Sequence, residues 1–222
     1  MSTKVLEKNI SLETLISIFT IDKGEIKVLL ERVNDEPYKG YWMIPNTPLY
    51  KDMTIEENLL SYVNEELGLC NISLDQNKIF SDELVNDIRK ISISYNGLID
   101  SKTIELKKSE INNKELHWFL INEIPKMAYD HERIINCSIK TLKKKIKNTE
   151  MLKLLFPSDF TLPELQKIFE LILGQELDRR NFRKKLISLD LIEDTNEFNI
   201  GCNGRPAKLY RFKDDIKEID IF

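Results

Sequence analysis

Asp178-Arg179-Arg180-Asn181-Phe182-Arg183-Lys184-Lys185-Leu186 decides how the C-terminal part of the chain is read. Asp178 is a residue type that caps helix N-termini, and Phe182, Leu186 and Leu189 recur at helical spacing. That stripe leaves Arg179, Arg180, Asn181, Arg183 and Lys184 mainly on other faces. Upstream, Phe160-Thr161-Leu162-Pro163-Glu164 opens a second helix, with Thr161 as cap, a proline in the first turn where no hydrogen bond is lost, and Gly174 as stop. Two short helices joined by a tight turn, the second basic at its N-terminal end, make a helix-turn-helix that presents side chains to a major groove. Arginine bridges the two acceptors of guanine and asparagine pairs with adenine, so this stretch supplies base contacts as well as phosphate contacts.

The residues that follow extend the reading. Leu191-Ile192-Glu193 and Ala207-Lys208-Leu209-Tyr210-Arg211-Phe212 read as two strands, joined by a polar loop holding Gly201, Cys202, Asn203 and Gly204. Such a loop is a wing. Gly204-Arg205-Pro206 projects Arg205 from a stiffened bend toward phosphates or a minor groove. The expected DNA-binding set is therefore Arg179, Arg180, Asn181, Arg183, Lys184, Gly204, Arg205, Pro206 and Lys208. Phe160 to Gln166, Asp178 to Leu186 and Gly204 to Tyr210 together resemble the DNA-binding domain of NrtR-type regulators. That resemblance implies a Nudix domain joined to the winged helix, a homodimer, a double-stranded operator, and repression of NAD-metabolism genes until ADP-ribose or a related nucleotide releases the DNA. The plainer alternative is a winged helix used for protein contacts.

N-terminal to this domain, Ile134 to Lys147 carries Ile135, Ile139, Leu142 and Ile146 at helical spacing, with lysines elsewhere around the barrel. It reads as a linker helix. The expected boundary lies near Asn148, giving a sensing domain over residues 1–148 and a DNA-binding domain over 149–222. From Leu12 to Lys126, short β-rich runs surround one helix. Leu15 to Ile21 and Ile26 to Arg32 flank Asp22-Lys23-Gly24 as a hairpin, and Arg89 to Asp100 and Glu115 to Ile121 are later strands. Thr54-Ile55-Glu56-Glu57 opens the helix with a capping box, and its period places Leu59, Leu60, Val63 and Leu67 toward a core. Gly68 ends it.

Composition narrows the function classes. At 41% hydrophobic and 32% charged, with seven Gly and seven Pro in 222 residues, the chain buries ordinary cores. No apolar run approaches the length of a membrane span, so a cytoplasmic protein is expected. Cys70, Cys137 and Cys202 are scattered, with two histidines in the chain, and read as reduced structural thiols. The net charge of −4 argues against coating nucleic acid over the whole surface, which places the weight on local basic clusters.

Leu29 to Arg32, Pro37 to Trp42 and Ile44-Pro45 resemble the approach to a Nudix motif, while Trp118-Phe119 and Met127 to His131 resemble the later strand and exit of that domain. The implied fold class is α+β: a Nudix-like α/β/α sandwich with a mixed sheet, followed by the winged helix. A Nudix motif clusters carboxylates on one helix face to bind Mg²⁺ and activate water at a pyrophosphate. With Glu65, Glu66, Gly68 and Leu69 set at the end of the motif, Thr47 stands at its glycine, Met53 at its upstream glutamate, and Ser61 and Tyr62 at its Arg-Glu pair. Four defining positions are replaced, so no hydrolysis, catalytic residue or cofactor is expected, and the alternative is a Nudix hydrolase of a nucleoside diphosphate derivative.

Glu65 and Glu66 are either a solvated helix end or a vestigial metal or ligand contact. Arg32, Trp42 and Arg89 join Asn46, Glu65 and Glu66 as effector-binding candidates, since guanidinium and indole suit phosphate and ring recognition, with a structural role as the alternative for each. The expected effector is ADP-ribose-like or a sugar. Asp130 and His131 read as capping and packing.

Overall fold

The computed structural model describes residues 10–22, 24–81, 88–100, 110–111, 114–145, 153, 156, 159–199 and 206–213. The chain divides into two compact units. The first is Met1–Phe19, Val28–Gly97 and Leu106–Ile139, and the second is Thr20–Lys27, Leu98–Glu105 and Lys140–Phe222.

An eight-stranded mixed sheet is built from β1 (Ile10–Asp22), β2 (Glu25–Arg32), β3 (Trp42–Met43), β4 (Asn46–Pro48), β5 (Ser73–Ser81), β6 (Arg89–Leu98), β7 (Glu110–Ile111) and β8 (Lys114–Leu120). Its order is β5-β6-β1-β2-β8-β7, with β3 paired to β2 and β4 to β1. β1 and β2 form where the β-rich runs predict them, and their Leu15, Ile16, Ile18, Phe19, Val28 and Leu30 are fully buried. Each such side chain contributes roughly 1.5–3 kcal/mol of burial. Alternation is blurred because β1 is central, and a strand covered on both faces reads as a continuous apolar run.

Helix α1 (Ile55–Glu65) carries the expected capping box, Thr54 with Glu57. Leu59, Val63 and Leu67 point to the core, but Leu60 is 44% exposed. The inward face is instead shared with Asn58 and Tyr62, whose polar tips have partners: Asn58 Nδ2 donates to the Pro48 carbonyl at 3.0 Å and Tyr62 donates to Glu31. Helix α2 (His131–Lys145) starts three residues before the sequence reading placed it. Its buried face is His131, Ile134, Ile135, Ser138 and Leu142, while Ile139 is half-buried. Ser138 takes a 3.0 Å hydrogen bond from Ser17 on β1. Ile146 lies outside the described residues.

The second unit carries β9 (Phe160–Thr161), α3 (Leu162–Leu173), α4 (Arg179–Ser188), β10 (Ile192–Asn199) and β11 (Ala207–Phe212), with sheet order β10-β11-β9. Strand β10 runs well beyond the predicted Leu191 to Glu193, because all its residues after Ile192 except the half-buried Thr195 are exposed, and an apolar pattern does not mark such a strand. Phe160, Leu165, Ile168, Phe169, Phe182, Leu186 and Phe212 form the core. Thr161 is both the last residue of β9, opposite Leu209, and the N-cap of α3, with Glu164 closing a capping box. Thr161→Ala is expected to cost about 1 kcal/mol, read as a lower midpoint for this domain in thermal melts of the full chain.

Candidate functional site

Helix α4 begins at Asp178, whose side chain accepts from the Asn181 amide at 2.9 Å. Burial of Phe182 and Leu186 turns one face to the core, so Arg179, Arg180, Asn181, Arg183 and Lys184 all stand exposed. Arg180, Arg183 and Lys184 border a shallow surface hollow together with Ile187 and Ser188. Cations on the strands are arranged otherwise. Lys208 on β11 is ion-paired with Asp194 on β10, Arg211 holds Asp159 through Nε and Nη2 at 3.0 and 3.3 Å, and Lys213 donates to Asp190 at 2.6 Å. The Lys208 ammonium holds the Asp194 carboxyl below its usual range. No such ion pair among the described residues ties up Arg179, Arg180 or Lys184. Pro206 is exposed at the start of β11, and the Gly204 and Arg205 candidates lie outside the described residues.

In the first unit, a cavity of about 490 Å³ lies beside α1 and β4. Asn46, Thr47, Met53, Ser61, Tyr62, Glu65 and Glu66 line it, with Lys114 from β8. Thr47, Met53, Ser61 and Tyr62 thus meet in one place with Glu65 and Glu66. The β4 side is tethered from behind, since the Ile44 amide donates to His131 Nδ1 at 3.0 Å. Burial, the largest influence, pushes the pKa of His131 down to about 4, which suits a neutral ring that accepts through Nδ1.

Of the six effector candidates, the cavity gathers Asn46, Glu65 and Glu66. Arg32 is elsewhere, donating through Nη1 to Glu115 at 2.9 and 3.2 Å and lying 6.0 Å from the Trp42 ring. Trp42 packs edge-on against Phe119 at 4.8 Å. Arg89 donates to Ser81 at 3.4 Å from the start of β6.

Residues 152–212 match the model of the NrtR DNA-binding winged helix domain. The C-terminal domain is an NrtR-type winged helix. Over 205 residues the chain is also 28% identical to the ADPR responsive transcriptional repressor NtrR of Acinetobacter baylyi, covering 89% of this chain and 80% of that protein. Over 140 residues it is 29% identical to the ADP-ribose pyrophosphatase of Methanocaldococcus jannaschii, covering 60% and 82%. The crystal structure of Shewanella oneidensis NrtR complexed with a 27mer DNA superposes with a TM-score of 0.74 at 24% identity, over 91% of this chain and 93% of that one. The NrtR-type resemblance therefore runs through both units, and the fold is a Nudix-like domain followed by the winged helix.

Reading the sequence alone missed Lys114, which lines the cavity of this NrtR-like chain, and Glu31, which holds it. Glu31 is 6% exposed on β2, and Lys114 Nζ donates to its Oε1 and Oε2 at 2.9 and 3.1 Å. A signal for Glu31 existed, a lone acid at the end of the apolar run Val28-Leu29-Leu30. None existed for its partner, which lies on the neighbouring strand β8 and far along the chain. Tyr62 donates to Glu31 at 3.3 Å, and burial, the largest influence, drives its pKa far above the usual tyrosine value, so it is a neutral phenol.

Proposed function

We propose that this protein is a ligand-responsive transcriptional repressor, a homodimer whose winged helices bind a two-fold symmetric DNA operator and whose Nudix-like domains bind an ADP-ribose-like nucleotide or a sugar. The observation that carries this reading is the exposed basic end of α4 within an NrtR-type winged helix. The effector cavity is the one lined by Asn46, Glu65 and Glu66. The effector releases DNA only if it binds the DNA-free arrangement more tightly, so operator and effector each weaken the other by the same factor. Helix α2, whose residues fall in both units, is the proposed carrier of that coupling.

Two experiments test this reading. Fragments of the source genome selected by the protein near physiological salt should share a two-fold symmetric motif, because unspecific binding fades under those conditions. ADP-ribose added to that complex should lower the affinity for DNA. Arg180→Ala is expected to weaken operator binding by about 1–3 kcal/mol if it reads a base, or by a smaller, sequence-independent amount with a reduced salt slope if it meets phosphate. Unchanged affinity in a gel-shift titration would remove Arg180 from the interface.

The similarity to an ADP-ribose pyrophosphatase favours a second reading, hydrolysis of a nucleoside diphosphate derivative. Against it stand Thr47, Met53, Ser61 and Tyr62, which leave Glu65 and Glu66 without the carboxylates and small residue that the chemistry uses. Turnover of ADP-ribose with Mg²⁺ at ordinary enzyme rates, lost on Glu65→Gln, would decide for the hydrolase.

A further inference from the structure

A carboxylate as buried as Glu31 costs several kcal/mol unless it is paired and hydrogen-bonded. Lys114 meets that need with two of its three N–H groups, and it stands 5.3 Å from the Tyr62 ring centroid, which adds a cation–π contact. The same lysine lines the cavity with Glu65 and Glu66. One N–H of a fixed ammonium is therefore left for whatever enters.

The fold type implies Mg²⁺ at this end of α1, and the residues present do not fit it. Mg²⁺ asks for near-octahedral oxygen ligation with carboxylates and substrate oxygens close at hand. Among the described residues no three or more His, Cys, Asp or Glu side chains gather as a metal site. Tyr62 offers a neutral phenol where the motif has a carboxylate, and the Glu31 carboxylate is already held by an ammonium. A divalent cation entering here would meet a positive charge that belongs to the protein.

We infer that Lys114, seated on Glu31, is the resident cation of the cavity and takes the place of a divalent metal, so that the cavity receives a hydroxylated ring of its ligand without metal. The choice of ligand group follows from the lining and rests on the effector reading above. A sugar hydroxyl both donates and accepts, and it finds a donor in Lys114, acceptors in Glu65 and Glu66, and a hydroxyl partner in Ser61. A pyrophosphate only accepts, and without metal it would face Glu65 and Glu66 across the same space.

The test uses the full chain and Mn²⁺ alone, with free Mn²⁺ followed by electron paramagnetic resonance. Wild type should hold Mn²⁺ no more tightly than the Glu65→Gln/Glu66→Gln double variant. Lys114→Met, which frees Glu31 to join the two acids, should gain at least about tenfold in Mn²⁺ affinity, about 1.4 kcal/mol. A wild-type Mn²⁺ site that the double variant loses overturns the inference, and this comparison decides the matter even if Lys114→Met does not fold. Calorimetry with ADP-ribose gives the ligand arm: equal affinity in EDTA and in Mg²⁺ agrees with a resident ammonium, and tenfold tighter binding in Mg²⁺ overturns it. If ADP-ribose binds in neither condition, the ADP-ribose assignment above fails, while the Mn²⁺ comparison still decides whether the cavity takes a metal.

Discussion

Phe169→Ala should destabilise the winged helix by about 3–5 kcal/mol and abolish operator binding with it. Phe169 is fully buried on α3, and its ring lies 5.6 Å from that of Phe182 on α4, so it joins the two helices of the helix-turn-helix. Truncation removes the ring and leaves a cavity that the capped ends of α3 resist closing. A domain stable by about 5–15 kcal/mol keeps little after such a loss. Two probes separate this effect from the rest of the chain. Trp42 and Trp118 both belong to the first unit, so tryptophan fluorescence follows that unit while far-ultraviolet circular dichroism follows both. In denaturant the variant should show an early dichroism transition with the fluorescence midpoint little changed. A dichroism curve identical to wild type would mean that the Phe169 ring does not hold the two helices together.

The second large effect is in pH. His131 is 2% exposed, and burial lowers its pKa from the ordinary 6.5 to about 4. In the unfolded chain the ring takes up a proton as the pH falls through about 6.5, whereas the folded chain resists until about pH 4. The unfolded state therefore binds more protons between those values, and stability present above pH 6.5 is lost progressively toward pH 4. A gap of that size corresponds to about 3 kcal/mol at 1.36 kcal/mol per pKa unit. His131→Asn, whose side-chain oxygen is placed to accept from the Ile44 amide, should flatten this part of the stability profile in urea titrations. An equally steep loss in the variant would assign the acid sensitivity to other groups.

The starts of α1 and α3 were legible because they rest on local chemistry. Thr54 with Glu57 and Thr161 with Glu164 satisfy backbone donors within one turn, so four residues carry the whole signal. The basic face of α4 was legible for a similar reason, since Phe182 and Leu186 fix which side faces inward. Leu60 was misplaced because periodicity counts apolar residues without knowing that Asn58 and Tyr62 would find partners in Pro48 and Glu31. Long-range pairing explains the cavity as well. The motif alignment brought its replaced positions forward, but Lys114 reaches Glu31 only once β8 lies beside β2. Arg32 and Trp42 carried suggestive chemistry, and their contacts with Glu115 and Phe119 depend on pairing that the sequence does not show.

Thr161 belongs at once to a strand and to the helix that follows, with no residue between them to act as a hinge. Strands β9 and β11 and helix α3 are therefore mechanically one piece: tilting β11 tilts α3 with it. In the proposed complex with an operator, β11 and α3 are expected to engage and leave the duplex together. The expected result is a single-exponential decay of the operator complex, with substitutions on β11 and on α4 acting on the same step.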